Sequence, residues 1–82
     1  MSITFKLYAS LMAYLPPDAR GHQVVLEVEE GTTPLQILER HGVPLAEVHL
    51  VLVNGVFWPP EQRRRALSPG DVLAVWPAVA GG

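Results

Sequence analysis

The chain opens on an alternation. Ile3, Phe5 and Leu7 share one parity and Thr4, Lys6 and Tyr8 the other, the period of a strand with one buried face. Ala9-Ser10-Leu11-Met12-Ala13-Tyr14-Leu15 follows. It is rich in helix formers, with Ser10 as a candidate cap for one or two turns and Pro16-Pro17 as the stop. Residues 16–21 read as a surface loop. Alternation returns over residues 23–28, where Val24, Leu26 and Val28 share a face, and Glu29-Glu30-Gly31 makes a turn.

A helix is signalled next. Thr33 stands as N-cap, Pro34 at the first helical position and Gln36 three residues after the cap, the pattern of a capping box. Leu35, Ile37 and Leu38 give it an apolar stripe, and the helix runs to about His41, where Gly42 supplies the stop. Residues 49–53 are an apolar run, Asn54-Gly55 a turn, and Val56-Phe57-Trp58 the return. Asn-Gly between apolar runs signals a hairpin, because a type I′ turn needs positive φ at two successive residues. Pro59-Pro60 ends the return. Pro69-Gly70-Asp71 is a further turn, held by hydrogen bonds from Asp71 to nearby backbone. Val72, Ala74 and Trp76 then oppose Leu73 and Val75 in a last strand. The order strand, strand, helix, strand, short strand, strand predicts an α+β domain with one helix on one face of a small sheet.

Composition narrows the chemistry. Eighty-two residues make one domain, which buries roughly 60–65% of its unfolded surface. Hydrophobic residues are 49% and charged residues 17%, so apolar surface is left over for a partner. A net charge of −2 argues against a nucleic-acid partner, which calls for a basic face. No cysteine is present, which removes disulfides, thiolate metal sites, iron–sulfur clusters and cysteine nucleophiles. The first residues lack the charged and apolar regions of a signal peptide, and no stretch approaches the ~20 apolar residues of a membrane span. His22, His41 and His49 are scattered without metal-ligand spacing, so no metal site is expected. The Ser and His residues form no nucleophile pair.

The sequence as given closes on Gly81-Gly82, behind Trp76-Pro77-Ala78-Val79-Ala80. Two glycines without side chains make a thin strand that can enter an active site too narrow for any Cβ. With Ala9-Ser10-Leu11 after the first strand, the helix after Gly31-Thr32-Thr33, Leu52-Val53-Asn54-Gly55, and Ser68-Pro69-Gly70-Asp71-Val72, this ending resembles the MoaD/ThiS family of ubiquitin-like sulfur carriers over essentially the whole chain.

The resemblance implies a β-grasp fold: a mixed sheet of four to five strands with one main helix on one face. It implies a domain over residues 1–76 and an extended tail over residues 77–82. It implies a carrier and not an enzyme, one that binds no cofactor itself. A ubiquitin-activating-like adenylyltransferase would use ATP and Mg²⁺ to adenylate the Gly82 carboxylate, and a sulfur donor of desulfurase or rhodanese type would convert it to a thiocarboxylate. The large subunit of a molybdopterin synthase would then receive the sulfur. The alternatives are a thiazole synthase or another sulfur acceptor, or a ubiquitin-like docking module without sulfur chemistry. A cytoplasmic location goes with these roles.

Gly81 and Gly82 would carry the chemistry, and Pro77, Ala78, Val79 and Ala80 form an arm that with the glycines reaches about 20 Å. Ala78 and Ala80 depart from the commonest molybdopterin-type ending, which has proline and a hydroxyl residue there. The length of the loop over residues 15–21 favours the molybdopterin branch. The family's partner-facing apolar positions map to Tyr8, Phe57 and Trp76, where aromatics would act as binding hot spots; the alternative is ordinary packing. Trp58 reads equally as core or rim. Arg63-Arg64-Arg65 reads as a solvated loop.

Overall fold

Each stretch of alternation becomes a strand, and each turn signal becomes a turn. The computed structural model describes residues 1–78. The strands are β1 (Ser2–Leu7), β2 (Gln23–Glu27), β3 (Leu50–Val53), β4 (Val56–Phe57) and β5 (Val72–Trp76), and the helix α1 is Pro34–Arg40. They form one sheet in the order β2-β1-β5-β3-β4. β1 and β5 run parallel at its centre, and the other neighbours pair antiparallel. This is the mixed β-grasp sheet that the resemblance implied.

Register explains the core. Phe5 lies opposite Leu73 and Leu7 opposite Val75. Val51 lies opposite Val75 and Val53 opposite Leu73. All six are buried on one face, together with Ile3 and Val24. The helix closes that face with Ile37 and Leu38, which are 1% and 0% exposed, each burial contributing about 1.5–3 kcal/mol. Pro34 is buried beside them, whereas Leu35 is only half-buried. The capping box forms as expected: the Gln36 amide donates to Thr33 Oγ1 at 3.2 Å, and the Thr33 amide donates to Gln36 Oε1 at 3.0 Å.

Turn geometry follows the residues. Asn54 and Gly55 have φ of 53° and 81°, as a type I′ hairpin requires. Asp71 does more than hold its own turn. One of its oxygens accepts from the Ser68 amide at 2.7 Å, and the other from the Asn54 side chain at 2.8 Å. The Val72 amide in turn donates to Asn54 Oδ1 at 2.8 Å. The hairpin tip and the start of β5 are thereby tied together.

The expectations for three segments need correction. Residues Ala9–Tyr14 form a 3₁₀ segment, and Ser10 does not cap it; the cap position is Tyr8, with no side-chain bond. Ala9 turns the chain through a positive φ of 52°, and Leu11, fully buried, anchors the segment to the core. Trp58 leaves the β4 strand and is core, 9% exposed, with its amide donating to the Val51 carbonyl. The triple arginine is not simply solvated. Arg63 donates to the carbonyls of Trp58 and His49 at 3.2 and 3.4 Å, its own carbonyl accepts from the Leu35 amide, and the Arg65 guanidinium lies 5.0 Å from the Trp58 ring centre.

Candidate functional site

The face of the sheet away from α1 is open. Strand alternation puts on it Ser2, Thr4 and Lys6 from β1, Gln23, Val25 and Glu27 from β2, Leu50 and Leu52 from β3, Phe57 from β4, and Val72, Ala74 and Trp76 from β5, of which Ala74 alone is buried. The register arranges them in rows. One row crosses Phe57, Leu52, Ala74, Lys6 and Gln23. The next, at the end from which β5 leaves the sheet, runs Leu50, Trp76, Tyr8 and His22.

This second row is built by stacking. Tyr8 follows β1 in extended conformation, and its amide donates to the Val75 carbonyl at 3.1 Å. That bond prolongs the β1–β5 ladder by one step and sets Tyr8 beside Trp76. The two rings lie nearly parallel, 5° apart in plane and 4.1 Å between centres. His22 covers the other flank of Tyr8 at 4.7 Å, held there because its carbonyl accepts from the Leu7 amide. Trp76 faces Leu50 across the antiparallel pair. Tyr8 and Trp76 are half-buried, so each ring keeps exposed surface.

Phe57 shares the face but not the cluster. It pairs with Leu52 on the edge strand and is 51% exposed, and among the described residues it makes no ring contact with Tyr8 or Trp76. The expected aromatic trio therefore divides into a stacked pair at the β5 exit and a separate exposed ring at the sheet edge. Leu50, Leu52 and Val25 were not assigned to this face from the sequence. Their signal was parity: in an apolar strand one parity fills the core, and the other must face outward.

β5 ends at this row. The Trp76 carbonyl accepts from the His49 amide at 2.9 Å. Pro77, with no N–H, cannot extend the ladder. Pro77 is half-buried and Ala78 exposed. The remaining expected site residues, Val79, Ala80, Gly81 and Gly82, lie outside the described residues. Among its strand residues the open face carries two charges, Lys6, half-buried between Gln23 and Ala74, and the exposed Glu27 opposite Ser2. A largely apolar, partly aromatic surface with few charges suits a protein partner better than a small ligand. Among the described residues no group of three or more His, Asp or Glu is placed to hold a metal ion, and no helix is long and apolar enough to cross a membrane.

Comparison with known proteins agrees with this fold. The family model described as Mut7-C ubiquitin matches residues 1–81. The crystal structure of SAMP1 from Haloferax volcanii is similar over 100% of both chains, with a TM-score of 0.70 and 26% sequence identity. No curated protein sequence matches.

Proposed function

Because the chain belongs to the Mut7-C ubiquitin family, we propose that it is a ubiquitin-like sulfur carrier whose working end is Gly82. The observation that carries this reading is the coupling of arm and face. β5, a central strand, delivers Pro77 beside the Tyr8–Trp76 stack, and the sequence beyond it is small, apolar and closed by Gly81-Gly82. A partner seated on the open face would receive the arm at a fixed place and direction.

The chemistry suits such an arm. A carboxylate is a poor electrophile, and joining it to AMP supplies a leaving group. An adenylyltransferase using ATP and Mg²⁺ would carry out that step on the Gly82 carboxylate. Sulfur from a desulfurase- or rhodanese-type donor then displaces AMP and leaves a thiocarboxylate tethered to the protein. The glycines pass a channel that would stop a side chain. The carrier's own residues do not catalyse these steps; they bind, orient and extend. Within this reading, the acceptor is the large subunit of a molybdopterin synthase, and the carrier acts in the cytoplasm. A thiazole synthase as acceptor is the other branch, and Ala78 and Ala80 in place of the commonest molybdopterin-type residues keep it in view.

Deleting Gly81 and Gly82 tests the reading. A carrier loses sulfur transfer while binding to the adenylyltransferase persists. A module that only docks keeps its function, and that result would overturn the proposal.

A further inference from the structure

The helix side of the sheet carries a groove that the proposed function does not use. Its apolar lining comes from Leu35 and Leu38 of α1, from Leu45 and Val48 around the 3₁₀ turn Leu45–Glu47, and from Pro60. Leu35 and Leu38 are neighbours on one face of the helix, and Leu45 is 48% exposed. The groove holds about 250 Å³. That is less than the roughly 300–1,000 Å³ of small-molecule sites, and it suits a side chain better than a whole ligand. Arg63 and Arg64 line it as well. Arg63 is fixed there by its bonds to the Trp58 and His49 carbonyls. Burial lowers its pKa more than the nearby Glu61 raises it, so its charge is only partly offset. Arg64 is exposed. The Glu47 carboxylate, in the turn beside the groove, accepts from the Tyr14 hydroxyl. Among the described residues the one ion pair joins Met1 to Glu27, so neither arginine is paired with a carboxylate.

We propose that this groove is a second docking site, for a segment of a partner protein in which a large apolar side chain stands beside Asp or Glu. The apolar side chain fills the groove against Leu35 and Leu45, and the carboxylate meets Arg63 and Arg64. Apolar burial supplies attraction, and a planar guanidinium receives a carboxylate through paired N–H donors. Charge complementarity selects the occupant: a basic or uncharged segment would leave Arg63 as poorly offset as it is without one. α1 covers the core face of the sheet, and the Tyr8–Trp76 row lies on the other. The chain can therefore hold one partner on the open face and a second in the groove at the same time. This inference does not depend on the carrier reading.

The test selects a displayed library of random heptapeptides on the immobilised full chain, then titrates a selected peptide into the ¹⁵N-labelled chain. The expected result is enrichment of peptides with an apolar residue next to Asp or Glu, and shifts at the amides of Leu35, Leu38, Leu45, Val48 and Arg64. Arg64→Glu and Leu45→Asp should each weaken binding about tenfold or more, and added salt should weaken it further. Both positions are exposed, and the amide spectra of the variants check that they fold. Phe57→Ala, on the open face, should leave peptide binding unchanged. Failure to enrich any peptide would overturn the proposal, as would enrichment of peptides without acidic residues or shifts confined to the open face. An Arg64→Glu variant that binds like the parent would do the same. Concentration-dependent shifts at the groove amides in the chain alone would put a second copy there and overturn it too. None of these outcomes bears on sulfur transfer, so the carrier reading stands or falls separately.

Discussion

Tyr8 stacks on Trp76 where β5 leaves the sheet, and the strength of that stack can be measured by a double-mutant cycle. The perturbations are Tyr8→Ala, Trp76→Ala and the two together. Parallel rings at 4.1 Å between centres contribute about 0.5–1.5 kcal/mol beyond the area they bury. Both side chains are half-buried, so each single truncation also loses part of a large apolar burial. Each single variant is expected to cost on the order of 1–2 kcal/mol. In a domain of this size that lowers the melting temperature by about 4–8 °C per kcal/mol. The double variant should cost less than the sum of the singles, with a coupling of about 0.5–1.5 kcal/mol. Urea unfolding followed by far-ultraviolet circular dichroism is the assay, since removing Trp76 alters the fluorescence directly. A coupling below the ~0.3 kcal/mol expected of independent sites would refute the reasoning. It would mean that the backbone ladder alone holds the two rings together.

Other consequences follow from single residues. Asp71→Ala removes both acceptors that join Ser68 and Asn54 and should cost about 1–2 kcal/mol in urea unfolding, because bonds to a charged group are the stronger kind but these are exposed. Ala9→Gly should raise stability by about 0.5–1 kcal/mol, because the left-handed φ of 52° strains any residue with a Cβ. Burial, and then the neighbouring Arg40, holds His41 below its ordinary pKa of 6.5, where it packs 5.2 Å from Phe5. The folded state thus binds that proton less readily than the unfolded chain. The His41 contribution is complete above pH 6.5 and is lost as pH falls through the lowered folded value. His41→Gln should therefore flatten the acid side of the urea-midpoint profile.

What the sequence made legible was local. The Thr33-Pro34-Gln36 cap, the Asn54-Gly55 turn and the alternation of β1 and β5 each rest on residues adjacent in the chain, and each forms where expected. The division of labour between Phe57 and the Tyr8–Trp76 pair was not legible, because it depends on strand order. β5 lies next to β1, and β3 stands between it and β4, an arrangement that no local pattern encodes. Arg63 was misjudged for the same reason. Its partners, the carbonyls of Trp58 and His49, lie five and fourteen residues back in the chain and meet only once the β3–β4 hairpin has formed. Ser10 failed as a cap because Tyr8 stays in the β1–β5 ladder and Ala9 makes the turn in its place. The arm was visible as composition alone, and residues 79–82 lie outside the described residues, so its role stands on Gly81-Gly82 and on where β5 delivers Pro77.

The most direct measurement of the central claim is the intact mass of the chain after incubation with the cognate adenylyltransferase, ATP, Mg²⁺ and a sulfur source. The account predicts a gain equal to the replacement of one oxygen by sulfur, placed on Gly82 by fragmentation and absent from the variant lacking Gly82. An unchanged mass under conditions in which the adenylyltransferase consumes ATP on this chain would contradict it, as would the same gain in the variant without Gly82.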